Sequence, residues 1–286
     1  MIPVLFKTFE TSYPIARLTS IQSTGHVPLY IECPSVEALI QACHDYPAHY
    51  LIGGGSNTIL DPDNKTPIVR LTESSIEKIA PNRLYISAGT PIAKALRQCT
   101  DWGLSGLELA AGVPACLGGM VAMNFGCWGN SIAKWVHRVH YLDALNQPAW
   151  RSMTDCEFTY RSSWFKQNNR PILGAEFTLT QSDPSLIRTT IAAAVERRRT
   201  AQPLRDKTYG SMFLNPPQGS AAQLIDTNQL KGYQIGGAKV SCMHANFMVN
   251  VGHASFQDIR ALLSFIQGTV QINNHITLEP EVCQAL

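Results

Sequence analysis

The sequence predicts a fold of the α+β or α/β class, because short apolar strands and amphipathic helices alternate along it without an internal repeat or low-complexity segment. The 286 residues, 45% of them hydrophobic and 15% charged, are enough for about two domains with a substantial core. The formal net charge is +2 and like charges form no long block, so the sequence does not predict a nucleic-acid binder.

The first half of the chain alternates strands with helices whose starts are marked by capping residues. A strand is predicted at 29–33, and Ser35 is the predicted N-cap of the helix that follows it. Pro91 opens a second helix, which Gly103 ends. Further strands are predicted at 50–52, 67–71, 84–88 and, approximately, 135–142 and 172–179.

In the second half, Asp183 and Pro184 mark the start of a helix that ends in a run of three arginines, which suit a helix C-terminus. Helices are also predicted near 220–230 and 255–270, and a strand at 246–250. We expect the main domain boundary near residue 180, with two lobes at about 1–65 and 66–180 and a second domain at 181–286.

The segment Met1–Lys7 has no basic start or long apolar stretch, and no later run reaches about 18 apolar residues. We therefore expect a cytoplasmic protein that is neither exported nor membrane-bound. The eight cysteines form no C-x-x-C pair and the eight histidines show no metal-ligand spacing. We expect reduced thiols and no metal site.

Two glycine-rich stretches are candidates for a dinucleotide site. The first follows a strand and could present backbone N–H groups to a phosphate, although a tight turn explains it equally well. The second is too dense in glycine for one turn, which suggests backbone lying against a large flat ligand; a close helix crossing is the alternative. Neither is a Walker or Rossmann motif. The two stretches are Gly53-Gly54-Gly55-Ser56-Asn57 and 103–129, with Gly112-Val113-Pro114, Gly118-Gly119 and Asn124 in the second.

Isolated polar residues complete the set of candidates. Arg161, beside Tyr160, could bind an anion, although a surface arginine stacked on an aromatic ring is the commoner case. Ser211 lies in no nucleophile elbow, and a lone histidine such as His244 is usually structural. Glu279 and Glu281 lie two residues apart, so the pattern alone does not choose between them.

In their order and spacing these stretches resemble the UDP-N-acetylenolpyruvoylglucosamine reductase (MurB) family over nearly the whole chain. The motifs that carry the resemblance are Gly53 to Asn57, Gly112-Val113-Pro114, Gly118-Gly119, Met123-Asn124, Tyr160-Arg161, Gly210-Ser211, Ile235-Gly236-Gly237-Ala238, His244-Ala245-Asn246-Phe247 and Leu278-Glu279-Pro280-Glu281-Val282.

The resemblance implies an α+β protein with a two-lobed FAD-binding domain of the vanillyl-alcohol-oxidase type at 1–180 and a smaller substrate domain at 181–286. It implies noncovalent FAD, NADPH as hydride donor and reduction of UDP-N-acetylglucosamine enolpyruvate to UDP-N-acetylmuramate, the dehydrogenase step of peptidoglycan precursor synthesis. NADPH and the sugar nucleotide would use one site in turn, on a protein that we expect to be a monomer with no nucleic-acid or membrane partner.

The resemblance also implies roles for single residues. Arg161 would bind the substrate carboxylate, Ser211 would give a proton to the α-carbon, and Glu281 would act as a donor or orienting group. Expected substrate contacts are Tyr160, Asn215 and His244. Expected FAD contacts are Gly53, Gly54, Gly55, Ser56, Asn57, Gly112, Val113, Pro114, Gly118, Gly119 and Asn124.

The chain departs from the family pattern in several places. No Gly-Gly-Pro-Ala signature surrounds Gly25, Leu214 stands where a lysine is usual, and Cys283 stands where an arginine is common. The tyrosine-bearing substrate loop is also missing after Lys166. Two other functions stay open from the residues: another FAD-dependent sugar or alcohol oxidoreductase on the same scaffold, and a nonenzymatic nucleotide-binding protein.

Overall fold

The computed structural model describes residues 5–285, so residues 1–4 of the predicted N-terminal segment, and residue 286, lie outside the described residues. The strands are β1 (Lys7–Pro14), β2 (His26–Cys33), β3 (Tyr50–Leu51), β4 (Thr58–Leu60), β5 (Ile68–Leu71), β6 (Ile76–Ala80), β7 (Arg83–Ser87), β8 (Leu104–Ser105), β9 (Gly126–Cys127), β10 (Asn130–Ser131), β11 (Val136–Leu142), β12 (Pro148–Ser152), β13 (Ile172–Thr178), β14 (Thr180–Gln181), β15 (Lys207–Ser211), β16 (Gln234–Ile235), β17 (Ala238–Val240), β18 (Phe247–Asn250) and β19 (Cys283–Ala285).

The α-helices include the three whose starts the sequence predicts at Ser35, Pro91 and Asp183. The α-helices are α1 (Val36–Asp45), α2 (Ile92–Asp101), α3 (Leu117–Ala122), α4 (Trp164–Gln167), α5 (Pro184–Ala201), α6 (Ala221–Thr227) and α7 (Phe256–Asn274). Ser35 caps α1 by accepting the N–H of Ala38, and the Asp183 carboxylate accepts the N–H of Ser185 at the start of α5. The predicted helix starts at Ser35 and Asp183 are therefore confirmed, and the mixture of helices and sheets is the predicted α+β class.

The chain forms two compact units. The first unit contains Tyr30–Gly54 and Thr66–Arg197, and the second contains Glu10–Leu29, Gly55–Lys65 and Arg198–Leu286. In this division two early segments belong with the C-terminal part, and most of α5 belongs with the first unit. The predicted functional domains at 1–180 and 181–286 stay a prediction.

The first unit is built around an antiparallel sheet in the order β12-β11-β13-β7-β6. Strand β13 lies in its middle and is almost wholly buried, as its apolar sequence requires. In the other sheet, β2 and β3 run parallel to β5. The short helix α3, within the glycine-rich stretch, packs against β13 and β7.

The second unit is built around the antiparallel sheet β15-β18-β17-β16, on which α7 packs through a buried face that includes Ile259, Leu262 and Ile266. A separate parallel pair joins β4 to β19, with Cys283 opposite Thr58. This pair brings the end of the chain beside the residues that follow the first glycine-rich stretch.

Candidate active site

In the first unit, the glycines of the two glycine-rich stretches pack main chain against main chain. A Cβ on Gly54 would lie 3.2 Å from the nitrogen of Cys116, and one on Gly53 would lie 3.7 Å from the nitrogen of Gly119. Within residues 5–285, the backbone N–H groups of Gly53, Gly54, Cys116 and Gly119 donate no hydrogen bond to the protein. Such a group of N–H donors, without competing side chains, fits an anion such as the diphosphate of FAD.

Gly112, Val113 and Pro114 line a mainly apolar cavity of about 580 Å³ in the same unit. Its other walls come from α2 and α5, through Ile92, Leu96, Ile191 and Val195, with Arg97 and Arg188 among its lining residues. A cavity of this size and character is within the range that organic ligands occupy. The expected FAD contacts of residues 112–114 stay a prediction.

Tyr160 and Arg161 occupy the tip of a tight turn, which is closed by a pair of hydrogen bonds. Thr159 N–H donates to the Ser162 carbonyl at 3.1 Å, and Ser162 N–H donates to the Thr159 carbonyl at 3.3 Å. Arg161 has a φ of 56°, a left-handed conformation that costs a non-glycine residue about 1 kcal/mol or more. Backbone strain of this kind clusters at functional sites, which favours Arg161 as a site residue.

The Arg161 side chain is held in place from two directions. Its Nη1 donates to the Gly126 carbonyl at 2.7 Å, and its guanidinium carbon lies 5.4 Å from the ring centroid of the exposed Tyr160. Asn124, a predicted FAD contact, is 8% exposed, and its Nδ2 donates to the Thr159 carbonyl at 2.8 Å. Its Oδ1 accepts the N–H of Ala133 at 3.3 Å. The amide of Asn124 therefore supports the turn that carries Arg161.

Ser211, in the second unit, ends strand β15 just after an irregularity in its pairing. Thr208 lies opposite Val249 but Ser211 lies opposite Phe247, and Gly210 between them has a φ of 87°. Regular alternation would put Ser211 on the buried face of Tyr209, whereas the irregular strand leaves it half-buried. Among the described residues, the Ser211 hydroxyl makes no hydrogen bond. It is therefore available to a substrate.

Glu281 lies on the main-chain segment next to Ser211. Its N–H donates to the Met212 carbonyl at 2.9 Å, and Leu214 N–H donates to the Glu279 carbonyl at 2.8 Å. The structure thus brings Ser211 and Glu281 together on adjoining segments. Glu281 is half-buried whereas Glu279 is exposed, which favours Glu281 as the carboxylate with a specific role.

Asn246 belongs to a motif that carries the resemblance, but the sequence alone assigns it no role at the site. Its Oδ1 accepts the Phe213 N–H at 3.0 Å, its Nδ2 donates to the Phe213 carbonyl at 2.8 Å, and its own carbonyl accepts the Met212 N–H at 2.8 Å. Asn246 is 4% exposed. It therefore fixes the main chain that follows Ser211. The sequence around His244 contains no local pattern that predicts this role.

The two remaining predicted substrate contacts differ in their surroundings. Burial, with the positive charge of Lys231, lowers the pKa of His244, and His244 Nδ1 lies 3.3 Å from the Asn246 N–H that it accepts. The ring is therefore neutral at pH 7, with its proton on Nε2. Asn215 is exposed, and its Oδ1 accepts the Ala221 N–H at the start of α6.

The residues Gly55, Ser56 and Asn57 of the first glycine-rich stretch belong to the second unit. The Gly55 carbonyl accepts the N–H of Ser20 at 3.0 Å. The N–H groups of Gly55, Ser56 and Asn57 donate to no acceptor in the part of the chain that the structure describes. The Asn57 side chain instead donates through Nδ2 to the Glu281 carbonyl at 3.2 Å. The second half of this stretch is thus hydrogen-bonded to the segment that carries Glu281.

Residues 5–285 contain neither a membrane-spanning helix nor a metal-binding cluster. No helix within residues 5–285 combines the length and apolar character needed to cross a bilayer. In the same residues, no group of three or more His, Cys, Asp or Glu side chains could hold a metal ion.

The chain is an FAD-binding protein: a family model described as FAD binding domain matches residues 33–147, a range that contains both glycine-rich stretches. This match confirms the prediction of FAD. A second model, the C-terminal domain of UDP-N-acetylenolpyruvoylglucosamine reductase, matches residues 202–284. The chain belongs to the UDP-N-acetylenolpyruvoylglucosamine reductase family, as its relatives show, so the resemblance inferred from the motifs is confirmed.

Relatives with that reductase name match this chain over most of their own length. The protein of Synechococcus elongatus is 34% identical over 287 residues, covering 97% of this chain and 95% of the relative. The protein of Halalkalibacterium halodurans is 35% identical over 81% of this chain and 78% of its own length. The crystal structure of the Thermus caldophilus reductase is 27% identical, covers 98% of both chains and gives a TM-score of 0.82.

Proposed function

We propose that this chain reduces UDP-N-acetylglucosamine enolpyruvate to UDP-N-acetylmuramate, with NADPH as the hydride donor and noncovalent FAD as the cofactor, in peptidoglycan precursor synthesis. The observation that carries the proposal is the hydrogen bond from Glu281 N–H to the Met212 carbonyl. This bond joins the segment of Ser211, whose hydroxyl makes no hydrogen bond within residues 5–285, to the segment of the half-buried Glu281. The relatives of the chain are named as this reductase.

When bound, FAD would supply hydride transfer from NADPH to the enolpyruvyl double bond, and the backbone N–H groups of the two glycine-rich stretches would hold its diphosphate. The protein's own residues must then bind the substrate carboxylate, keep it oriented and supply one proton. Arg161 binds the carboxylate, because its guanidinium is always charged and its planar fork matches two carboxylate oxygens. Its contacts with Gly126 and Tyr160 support this role by limiting the positions of the side chain.

Ser211 gives the proton from its Oγ to the α-carbon of the substrate. An alcohol is a weak acid, so it protonates only a strongly basic carbon, and hydride addition to the neighbouring carbon creates one. The half-buried position of Ser211, and its lack of a hydrogen-bond partner among the described residues, support this role. Glu281 orients the reacting carboxylate or, in its protonated form, donates a hydrogen bond to it.

The neutral His244 donates from Nε2 to the sugar nucleotide, since its Nδ1 already accepts the Asn246 N–H. Asn215 and Tyr160 are exposed and so are accessible to a substrate. The match of family models to 33–147 and 202–284 supports an FAD-binding domain at 1–180 and a substrate domain at 181–286. A monomeric state, a cytoplasmic location and the absence of nucleic-acid or membrane partners stay predictions.

The test is anaerobic reoxidation of the NADPH-reduced holoprotein. UDP-N-acetylglucosamine enolpyruvate should restore the absorbance of oxidised flavin, whereas UDP-N-acetylglucosamine, which lacks the enolpyruvyl group, should leave it bleached. Denaturation should release the flavin into solution. No reoxidation by the enolpyruvyl compound, or flavin that stays attached to the denatured chain, would contradict the proposal.

A further inference from the structure

The main chain of Glu281 is held on both sides by hydrogen bonds from different parts of the second unit. Its N–H donates to the Met212 carbonyl at 2.9 Å, and its carbonyl accepts Asn57 Nδ2 at 3.2 Å. A shift of Glu281 toward or away from Ser211 would break one of these bonds.

Asn57 also binds the same segment through its main chain. Its carbonyl accepts the Cys283 N–H at 3.0 Å, which begins the parallel pairing of β4 with β19. Between the two contacts lies Val282, which is 4% exposed and belongs to the hydrophobic core of the second unit. Asn57 therefore sets both the register and the position of residues 281–283.

An asparagine at position 57 is not explained by backbone conformation. Asn57 is not among the described residues with positive φ, so the local backbone favours no particular residue type there. The pairing with Cys283 uses only main-chain atoms, which any residue would supply. The hydrogen bond that Asn57 Nδ2 donates to the Glu281 carbonyl, by contrast, requires a side-chain amide.

We propose that Asn57 is a positioning residue for the reduction: its amide holds Glu281 in place beside Ser211, and FAD binding is not its main contribution. The inference rests on the proposed function, because it concerns the position of the proposed catalytic carboxylate. It also differs from the prediction made from the glycine-rich motif, which assigns Asn57 to the cofactor.

The experiment compares Asn57→Ala with Asn250→Ala, each in the wild-type and the Glu281→Gln backgrounds. Asn250 controls for the loss of a buried amide elsewhere in the same unit, and it is the more demanding change: its Nδ2 donates to the carbonyls of Ile21 and Gln22 at 3.0 Å, and its Oδ1 accepts the N–H groups of Gly252 and Ala254. The measurements are FAD affinity, the rate of flavin reduction by NADPH and the rate of reoxidation by the enolpyruvyl substrate. Hydrogen–deuterium exchange follows the amides of residues 281–285.

We expect Asn57→Ala to slow reoxidation by about 10- to 100-fold, because small displacements of a catalytic group have effects of that size. FAD affinity and flavin reduction should stay within about 3-fold of wild type. In the Glu281→Gln background the further loss should be less than about 2-fold, since a residue that acts through Glu281 has nothing left to position. Exchange at 281–285 should be about 5- to 10-fold faster. Asn57→Asp, which keeps the side-chain shape but lacks the donor, replaces Asn57→Ala if that variant does not fold.

Three results would overturn the inference alone: a large loss of FAD affinity with normal reoxidation of the loaded enzyme, an equal loss in both backgrounds, or an equal loss in Asn250→Ala. A wild-type enzyme that fails to reduce the enolpyruvyl substrate would instead refute the proposed function, and the positioning role with it.

Discussion

Substitution of Asn246 tests what holds the main chain after Ser211 in place. Its side chain is the hydrogen-bond partner of both main-chain groups of Phe213, at 3.0 and 2.8 Å, and Phe213 is only 1% exposed. Asn246→Ala would leave a buried N–H and a buried carbonyl without these partners. Each such group costs about 1–3 kcal/mol, so for the two groups we expect the free energy of unfolding to fall by about 2–6 kcal/mol.

The assay is urea unfolding at a fixed excess of FAD, followed by far-UV circular dichroism, because none of the five tryptophans lies in the second unit. Asn273→Ala is the control, since it removes an exposed side-chain hydrogen bond to Asn228 and should cost less than about 0.5 kcal/mol. Hydrogen exchange at the Phe213 amide should accelerate in Asn246→Ala only. A cost below about 1 kcal/mol, or unchanged exchange at Phe213, would refute the argument that this amide holds the segment after Ser211.

Three further predictions concern the proposed chemistry and its pH dependence. Ser211→Ala should leave flavin reduction by NADPH intact but slow single-turnover reoxidation by about 10²- to 10⁴-fold; equal damage to both half-reactions would count against a proton-donor role. Glu281→Gln should slow reoxidation far more than Glu279→Gln, because Glu279 is exposed; the opposite order would mean that the motif is assigned in the wrong register. Burial lowers the pKa of His244 in the folded state. The unfolded chain therefore takes up its proton first, and stability should fall as pH drops below about 6.5. Between pH 8 and 5.5, the melting temperature of His244→Gln should fall less than that of the wild type. An equal fall in both proteins would exclude His244 as a source of the pH dependence of stability.

The sequence predicts best the elements that local signals determine. Ser35 and Asp183 begin their helices as predicted, because a capping side chain needs only N–H groups two or three residues along the chain. Strand β18 lies within the predicted 246–250 and α7 extends a few residues beyond the predicted 255–270. Family membership is predictable too, because it depends on several motifs in a fixed order.

Contacts between distant segments could not be predicted in this way. The pairing of β4 with β19 joins residues near 58 and 283, and a parallel pair leaves no local pattern such as a hairpin turn. For the same reason, composition gave no sign that 10–29 and 55–65 belong with the C-terminal part. The position of Glu281 depends on this pairing. The sequence could therefore suggest which residues take part in the proposed site, but not where Glu281 lies in it.

Three asparagines show that residues within the motifs also bind the main chain around the proposed catalytic residues. A side-chain amide carries the same donor and acceptor groups as a peptide bond, so it can bind main chain where no neighbouring strand is available. Asn246 binds Phe213, Asn57 binds Glu281, and Asn124 binds Thr159. Each contact falls on a proposed catalytic residue or two residues from one.

An aspartate at these positions would lack the donor, and a glutamine would be longer and lose more side-chain freedom on being fixed. The requirement for asparagine therefore follows from main-chain geometry at the site. The presence of a polar residue in a cofactor motif then has two possible explanations: it contacts the ligand, or it supports the backbone. The two are separated by measuring cofactor affinity and the substrate half-reaction independently in the same variant.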